Sequence, residues 1–305
     1  MTRPGGIDST TRSTCSSYGS WCTGSASRRL RSVTDHRAAI AGVFDRAAGT
    51  YDATGVDFFS FVGATLVEDA GLSAGDRVLD VGCGRGAALF AAADAVGPAG
   101  TVHGFDLAPT MVALTAAEAA DHGLANVQVE VMDAQEPALP AAAYDAVLSS
   151  LVVFFLPDPL AGLRAWRAAV RAGGRLAITT FVGRNDERWS WLEDVFPDRD
   201  SGSSAEKNEE PDPFGSDESL HSLLAEAGFV DASSRVREHV VRFEDPEHWQ
   251  RWSWSHGMRT FWERIPESAR GDAWRAARRH LERMRDEPDG LSLRMTVRYT
   301  TATAG

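Results

Sequence analysis

Lysine is nearly missing from this 305-residue chain: Lys207 is the only one, and arginine carries almost all the positive charge. That scarcity argues against a Schiff-base or phosphate-loop lysine. Basic charge is short overall. A formal net charge of −12 argues against a nucleic-acid backbone as partner, because that affinity comes from clustered Lys and Arg. Cysteine is equally sparse. Cys15, Cys22 and Cys83 are odd in number and not densely spaced, so they make no disulfide framework, and a Cys15–Cys22 pair in the polar N-terminal segment is not expected. No Cys/His cluster has metal-ligand spacing, so no metal is expected. No apolar run reaches the ~18 residues that a membrane span needs. The N-terminus holds Arg, Ser and Thr but lacks the apolar stretch of a secretory signal. A cytoplasmic, reduced setting is the expectation, with no membrane partner. A homo-oligomer stays open.

What is present is organised around alternation. Residues 1–33 are polar and aperiodic and read as a disordered extension rather than as an arm anchored by Tyr18 and Trp21. From 34 to 305 the chain reads as one large α/β domain. Two helices are predicted over 34–70, the first with Ile40, Val43, Phe44 and Ala47 on one face. Strands at 77–81, 101–105, 127–132, 146–151 and 176–180 follow, with helices between them. One helix opens at Pro109 and ends at Gly123; another opens at Pro159 and is closed by Gly173 and Gly174. This pattern predicts an open, mostly parallel, doubly wound sheet, with its core over 75–181. Residues 182–216 are acidic and poor in apolar residues, which predicts a flexible loop. A strand near 234–243 precedes a helical block at 245–286. In the last segment, "LSLRMTVRYT", Leu293, Met295, Val297 and Tyr299 alternate with polar residues as in a half-buried strand.

The stretch "VLDVGCGRG", Val78–Gly86, marks the ligand site. Gly82, Gly84 and Gly86 permit positive φ and close ligand approach at the carboxyl end of the first strand. A dinucleotide site would use G-x-G-x-x-G with pyrophosphate at the helix N-terminus. Here the spacing is G-x-G-x-G, and Asp80 stands two residues before the first glycine. A carboxylate there repels pyrophosphate but suits a ligand with an amino group, such as S-adenosylmethionine. Asp106 ends the second strand, where it can accept ribose hydroxyls. Asp133 ends the third, within reach of an adenine amino group. Leu107 and Met111 are placed to pack on the nucleoside.

"VLDVGCGRG", "GFDLAPTMV", "VMDAQ" and "YDAVLSSLVVFFLPDP" together resemble the successive motifs of class I S-adenosylmethionine-dependent methyltransferases, over about residues 38–182. The resemblance implies a seven-stranded Rossmann-like sheet with an antiparallel last strand, the helical block becoming an acceptor-side insertion. It implies Asp80, Gly82, Cys83, Gly84 and Gly86 around the methionine moiety, Asp106 on the ribose, and Asp133 with Ala134 at the adenine. Ser149 and Ser150 match residues that touch the methionine end. "VFDRAAGTYD" resembles the lid helix over the cofactor, with Tyr51 facing the site.

The acceptor leaves a weaker trace. Phe154 and Phe155 stand where quinone-type relatives carry "HH", which suggests an apolar acceptor. Seven of nine tryptophans fall after residue 180. Phe58, Trp189, Trp252 and Trp254 are candidate walls, although Trp252 and Trp254, two apart, cannot share a helix face. His256 is the best candidate base, ahead of Glu193 and Asp194; His103 reads as structural. The expectation is methylation of a small, largely apolar molecule of specialised metabolism at C, O or N. The alternatives are C-methylation of a prenyl or terpene substrate coupled to cyclisation, a nicotinamide-dependent oxidoreductase, and a non-catalytic cofactor-binding domain.

Overall fold

The computed structural model describes residues 36–183, 186–196 and 212–305. The segment 1–33, with Tyr18, Trp21, Cys15 and Cys22, lies outside the described residues, as do 184–185 and 197–211 of the acidic stretch. Contacts divide the chain into 1–39 and Ile40–Gly305. Of the first unit only 36–39 are described, all helical. The second unit, Ile40–Gly305, carries everything below except residues 36–39 of the first helix.

A helix over 36–47 (α1) leads to α2 (Phe58–Ala70). Then come β1 (Arg77–Val81), α3 (Ala87–Val96), β2 (Thr101–Asp106), α4 (Pro109–Asp121), β3 (Val127–Val131), β4 (Tyr144–Ser150), α5 (Pro159–Ala169) and β5 (Val170–Phe181). The second half holds α6 (Leu192–Val195), α7 (Asp217–Glu226), β6 (Phe229–Arg242), α8 (Pro246–Trp254), α9 (Arg259–Arg264), α10 (Glu267–Arg285) and β7 (Ser292–Ala304). The seven strands lie in the order β3-β2-β1-β4-β5-β7-β6. The first five are parallel, and β7 runs antiparallel to both of its neighbours. This is the expected mostly parallel sheet with an antiparallel last strand.

The central strands of the sheet are buried on both faces, while the edge strands β3 and β6 are largely exposed. Val78, Val102, Ala146 and Leu148 share one core with α2, α3 and the α8–α10 block. Leu79, Val81, Val147 and Ile178 share the other with Leu163 and Trp166 of α5 and Leu220 and Leu224 of α7. Burial from both sides explains why β1 is a nearly continuous apolar run. The sheet reverses its strand order at β1 and β4, so the loops after these two strands flank the ligand crevice of such folds.

Three expectations need correction. No helix separates β3 from β4; residues 132–143 cross as turns and extended chain. Gly173 and Gly174 do not close α5, which ends at Ala169; they lie within β5, where Val170 already pairs with Tyr144. A Cβ on Gly174 would meet the Asp145 carbonyl oxygen at 2.8 Å, so close strand packing explains that glycine. Finally, 186–196 is not a loose acidic loop. Trp189, Trp191, Leu192, Val195 and Phe196 bury there, and their apolar side chains outweigh the acidic composition around them.

The α8–α10 block sits inside a hairpin connection. Arg242, which ends β6, pairs across the ladder with Ser292, which begins β7. The Phe243 N–H donates to the Leu291 carbonyl at 2.9 Å, extending the ladder into the base of the block.

Candidate active site

The glycine loop leaves β1 at Val81 and is pinned to β2 by the Cys83 N–H, which donates to the Phe105 carbonyl at 2.9 Å. Gly84 has φ +50°, and a Cβ there would meet nothing within 4 Å. It is the loop position whose face stays open, as close approach of a ligand to backbone requires. Gly82 is closed instead: its Cβ would lie 2.5 Å from the Val152 side chain, which descends from the end of β4.

Asp80 lies under the loop, 1 % exposed, and neither of its carboxylate oxygens has a hydrogen-bond partner. Burial, with a smaller contribution from the Asp106 charge and opposed by the Leu89 N–H at the start of α3, pushes its pKa up to about 7. A buried carboxylate without a donor is costly unless a ligand supplies one. Asp106 ends β2 and joins two loops. Its Oδ2 accepts from the Gly84 N–H and its Oδ1 from the Ala108 N–H, both at 2.9 Å. Each oxygen keeps a lone pair for a further hydroxyl. Asp133 uses Oδ1 in a turn with the Gln135 N–H, and the neighbouring Ala134 carbonyl accepts the Trp166 indole N–H at 2.7 Å. At the end of β4 the Ser149 hydroxyl is buried and unpartnered, while Ser150 is 3.5 Å from Thr179. Leu151 follows with φ +58°, its N–H bonded to Thr179 Oγ1 at 2.9 Å. A non-glycine residue in that region stores strain of the kind that gathers at functional turns.

Helix α1 closes one side. Arg85, within the glycine loop, donates to the Ala48 carbonyl at 3.1 Å and pairs with Glu118 at 2.6 Å. Asp45 accepts the Thr110 N–H, and Arg46 pairs with Glu263 on α9. Met111, buried, packs with Ala48 and Ala108 against Phe44 and Tyr51. Leu107 is half-buried.

From Tyr51 a run of rings leads toward the helical block. Tyr51 and Phe59 have centroids 4.7 Å apart, Phe59 and His256 5.5 Å, and His256 and Trp252 4.2 Å. Phe155 meets Phe44 edge-on at 5.5 Å and Phe154 at 4.7 Å, and Phe154 reaches Phe181. Phe181 stacks on Phe58. His256 is buried, and its Nδ1 bonds the Trp252 carbonyl at 2.7 Å. A carbonyl only accepts, so Nδ1 carries the hydrogen and Nε2 keeps the lone pair. Burial holds the imidazole pKa down to about 4.

Known proteins of similar sequence give the family. A family model described as a methyltransferase domain matches residues 72–228, just over half of the chain. The chain belongs to the S-adenosylmethionine-dependent methyltransferases. It is 37% identical to the nocamycin O-methyltransferase of Saccharothrix syringae over 73% of this chain and 84% of that protein. It is 43% identical to an aklanonic acid methyltransferase of a Streptomyces species over 50% of this chain and 69% of the relative. In fold it resembles the crystal structure of the YcgJ protein of Bacillus subtilis, with a TM-score of 0.54 and 14% identity over 80% of this chain and 97% of the other.

The residues of this methyltransferase fit its cofactor. Asp80 presents an unpaired carboxylate of the kind an ammonium group satisfies, Gly84 presents an open backbone face, and Asp106 retains acceptor capacity for hydroxyls. The nicotinamide alternative falls with the family assignment. Among the described residues no group of three or more His, Cys, Asp or Glu could hold a metal ion, and no helix is long and apolar enough to cross a membrane.

The structure sorts the acceptor-side candidates. Phe58, Phe154, Phe155, Trp252 and His256 fall into the ring network just described. Trp189 does not join them directly: its indole N–H bonds the Ser292 carbonyl at 2.9 Å and its ring is walled by Trp191, Phe243 and Trp249. Trp254 is engaged elsewhere than Trp252, stacked on Trp262 with the guanidinium groups of Arg259 and Arg270 over its ring. Helix geometry separates the two, and cation–π packing occupies Trp254. Glu193 and Asp194 are exposed on α6. His103 bonds Tyr144 and Glu130 and is structural. Sequence reasoning missed Asp45, Arg46 and Arg85. Only Arg85 carried a signal, a charged side chain inside the glycine loop.

Proposed function

We propose that this methyltransferase acts on an acidic hydroxyl of a small, largely apolar natural product. The observation that carries the reading is His256: a buried, neutral imidazole whose tautomer is set by the Trp252 carbonyl, standing in the aromatic run that begins at Tyr51. S-adenosylmethionine, when bound, supplies a methyl group already activated on a sulfonium. Asp80, Gly84 and Asp106 hold and orient it, with Asp133, Ala134, Ser149 and Ser150 along its length. What is left to the protein is alignment of the acceptor, exclusion of water and removal of one proton. The rings of Phe44, Phe59, Phe154 and Phe155 exclude water. His256 Nε2 takes the proton from the acceptor oxygen. An imidazole held near 4 suits an enol or a carbonyl-flanked phenol, because an ordinary alcohol would resist so weak a base. The relationship to an O-methyltransferase of comparable length supports oxygen as the acceptor atom.

The test uses methyl-labelled cofactor with extracts of small metabolites, followed by mass spectrometry and NMR of the product. The expected product carries the label as an O-methyl group. A label on an alkene carbon would instead establish the prenyl or terpene C-methylation alternative, which needs no base at His256.

A further inference from the structure

Among the described residues six tryptophan rings are buried: Trp166, Trp189, Trp191, Trp249, Trp252 and Trp262. Three of their N–H groups are satisfied within the protein. Trp166 donates to the Ala134 carbonyl, Trp189 to the Ser292 carbonyl and Trp262 to Ser253 Oγ, at 2.7, 2.9 and 2.9 Å. The other three, on Trp191, Trp249 and Trp252, are buried with no partner. Buried indole N–H groups normally find an acceptor, and an unpaired one calls for an explanation.

These three are not scattered. Trp249 and Trp252 lie three apart on α8, on one side of the helix. Trp191 lies with its centroid 5.6 Å from that of Trp249, and Trp252 lies 4.2 Å from His256. Trp191 and Trp249 thus stand together, Trp252 stands against His256, and Trp189 and Phe243 link the two groups into one aromatic cluster. The satisfied indoles of Trp189 and Trp262 sit in the same cluster, so the block has carbonyls and hydroxyls to offer and leaves these three without them.

We propose that Trp191, Trp249 and Trp252 form a hydrogen-bonding wall for the oxygen atoms of the methyl acceptor. The matching ligand is flat, apolar over its faces and bears two or more carbonyl or enol oxygens at its edge. A hydrocarbon or prenyl chain would leave the donors unpaired, and a polyamine would meet donors with donors. The Trp252 N–H also steadies the oxygen whose proton goes to His256 Nε2. The inference rests on the acceptor entering beside His256, but it can fail separately from that reading.

The test compares two soluble probes of one shape and charge, anthraquinone-2-sulfonate and anthracene-2-sulfonate, on the full chain with S-adenosylhomocysteine present. Tryptophan labelled with heavy nitrogen reports each indole N–H by NMR, assigned with Trp191→Phe, Trp249→Phe and Trp252→Phe. The quinone should move the Trp191, Trp249 and Trp252 signals together and leave those of Trp166, Trp189 and Trp262 in place. In the wild-type protein the hydrocarbon should bind more weakly and move them less. Trp252→Phe should weaken quinone binding about tenfold while leaving hydrocarbon binding within about twofold. Equal movement by both probes, or none at saturating quinone, overturns the wall. Neither result touches O-methylation, which the labelled-methyl experiment decides alone.

Discussion

Asp45 and Arg46, neighbours on α1, fasten that helix to two different parts of the molecule. Asp45 Oδ1 accepts the Thr110 N–H at 2.6 Å at the start of α4, beside the cofactor crevice. The Arg46 guanidinium holds both oxygens of Glu263 on α9, at 2.8 and 2.5 Å, in the helical block. The pair is partly exposed, so its contribution to global stability is small, about 1 kcal/mol or less. Its effect on the closure of α1 is expected to be larger. Glu263→Gln should raise the release rate of S-adenosylhomocysteine about three- to tenfold, read by stopped-flow tryptophan fluorescence, and shift Tm by only about 2 °C. An unchanged release rate would show that α1 is held by its packing alone.

Asp80 makes the cofactor-free protein sensitive to pH in a defined direction. Its carboxyl is raised to about 7 in the folded chain, while the unfolded chain releases that proton near the ordinary carboxylate range. Between those limits the folded state binds the extra proton, so stability falls as pH rises toward 7. Tm of the cofactor-free protein should decline across that window, and Asp80→Asn should remove this part of the decline. Affinity for S-adenosylmethionine, followed by calorimetry, should move oppositely and rise as the carboxylate ionises. Identical pH profiles in wild type and Asp80→Asn would refute the assignment.

Asp106→Ala removes the acceptor that bridges the two loops and that the proposed reading assigns to the ribose hydroxyls. Cofactor affinity should drop about a hundredfold, as expected for two hydrogen bonds with a charged acceptor. Calorimetry with S-adenosylhomocysteine checks this. An affinity within twofold of wild type would mean that the ribose lies elsewhere.

His256→Gln should lower kcat about a hundredfold or more, the usual worth of a positioned base, with cofactor binding unaltered. In the wild type, burial holds the imidazole near 4, so the proton-accepting form dominates across neutrality. The kcat profile should be flat there and fall only as pH approaches that value. A break near the ordinary histidine range would indicate an exposed imidazole in the working enzyme.

Gly84→Ala separates backbone strain from ligand contact. Gly84 and Gly71 both have left-handed φ with open space around a virtual Cβ, but only Gly84 lies in the glycine loop after β1. Both alanine variants should lose roughly 1–2 kcal/mol of stability. Only Gly84→Ala should also weaken S-adenosylhomocysteine binding, by about tenfold or more. Equal cofactor affinities would leave the open face of Gly84 without a role.

Much of the cofactor half was legible because its signals are local. Asp80 and Asp106 lie at or next to the ends of β1 and β2, Asp133 lies two residues past β3, and parallel pairing brings those ends together. What stayed hidden depends on distance in sequence or on bond accounting. Arg46 and Glu263 are 217 positions apart, and nothing in either neighbourhood names the other. The folded turn at 186–196 was masked by acidic composition, although Trp189, Trp191 and Phe196 bury there. The split between Trp252 and Trp254 was foreseeable from helix geometry; which of them faces His256 was not. Whether an indole N–H finds a carbonyl is a property of the assembled block alone, so the difference between Trp189 and Trp249 leaves no trace in the residue pattern.

The pairing of Arg242 with Ser292 has an evolutionary consequence. Everything from 243 to 291 leaves the sheet and returns to it at cross-strand partners, so its length and content can change without shifting the register of any strand. Asp80, the glycine loop and Asp106 lie on β1, β2 and the loops after them, while this excursion adds Trp252 and His256 to the rings supplied by α1, α2 and the turn after β4. The block can therefore change as a cassette, and grafting 243–291 between family members should leave every strand of the sheet in register.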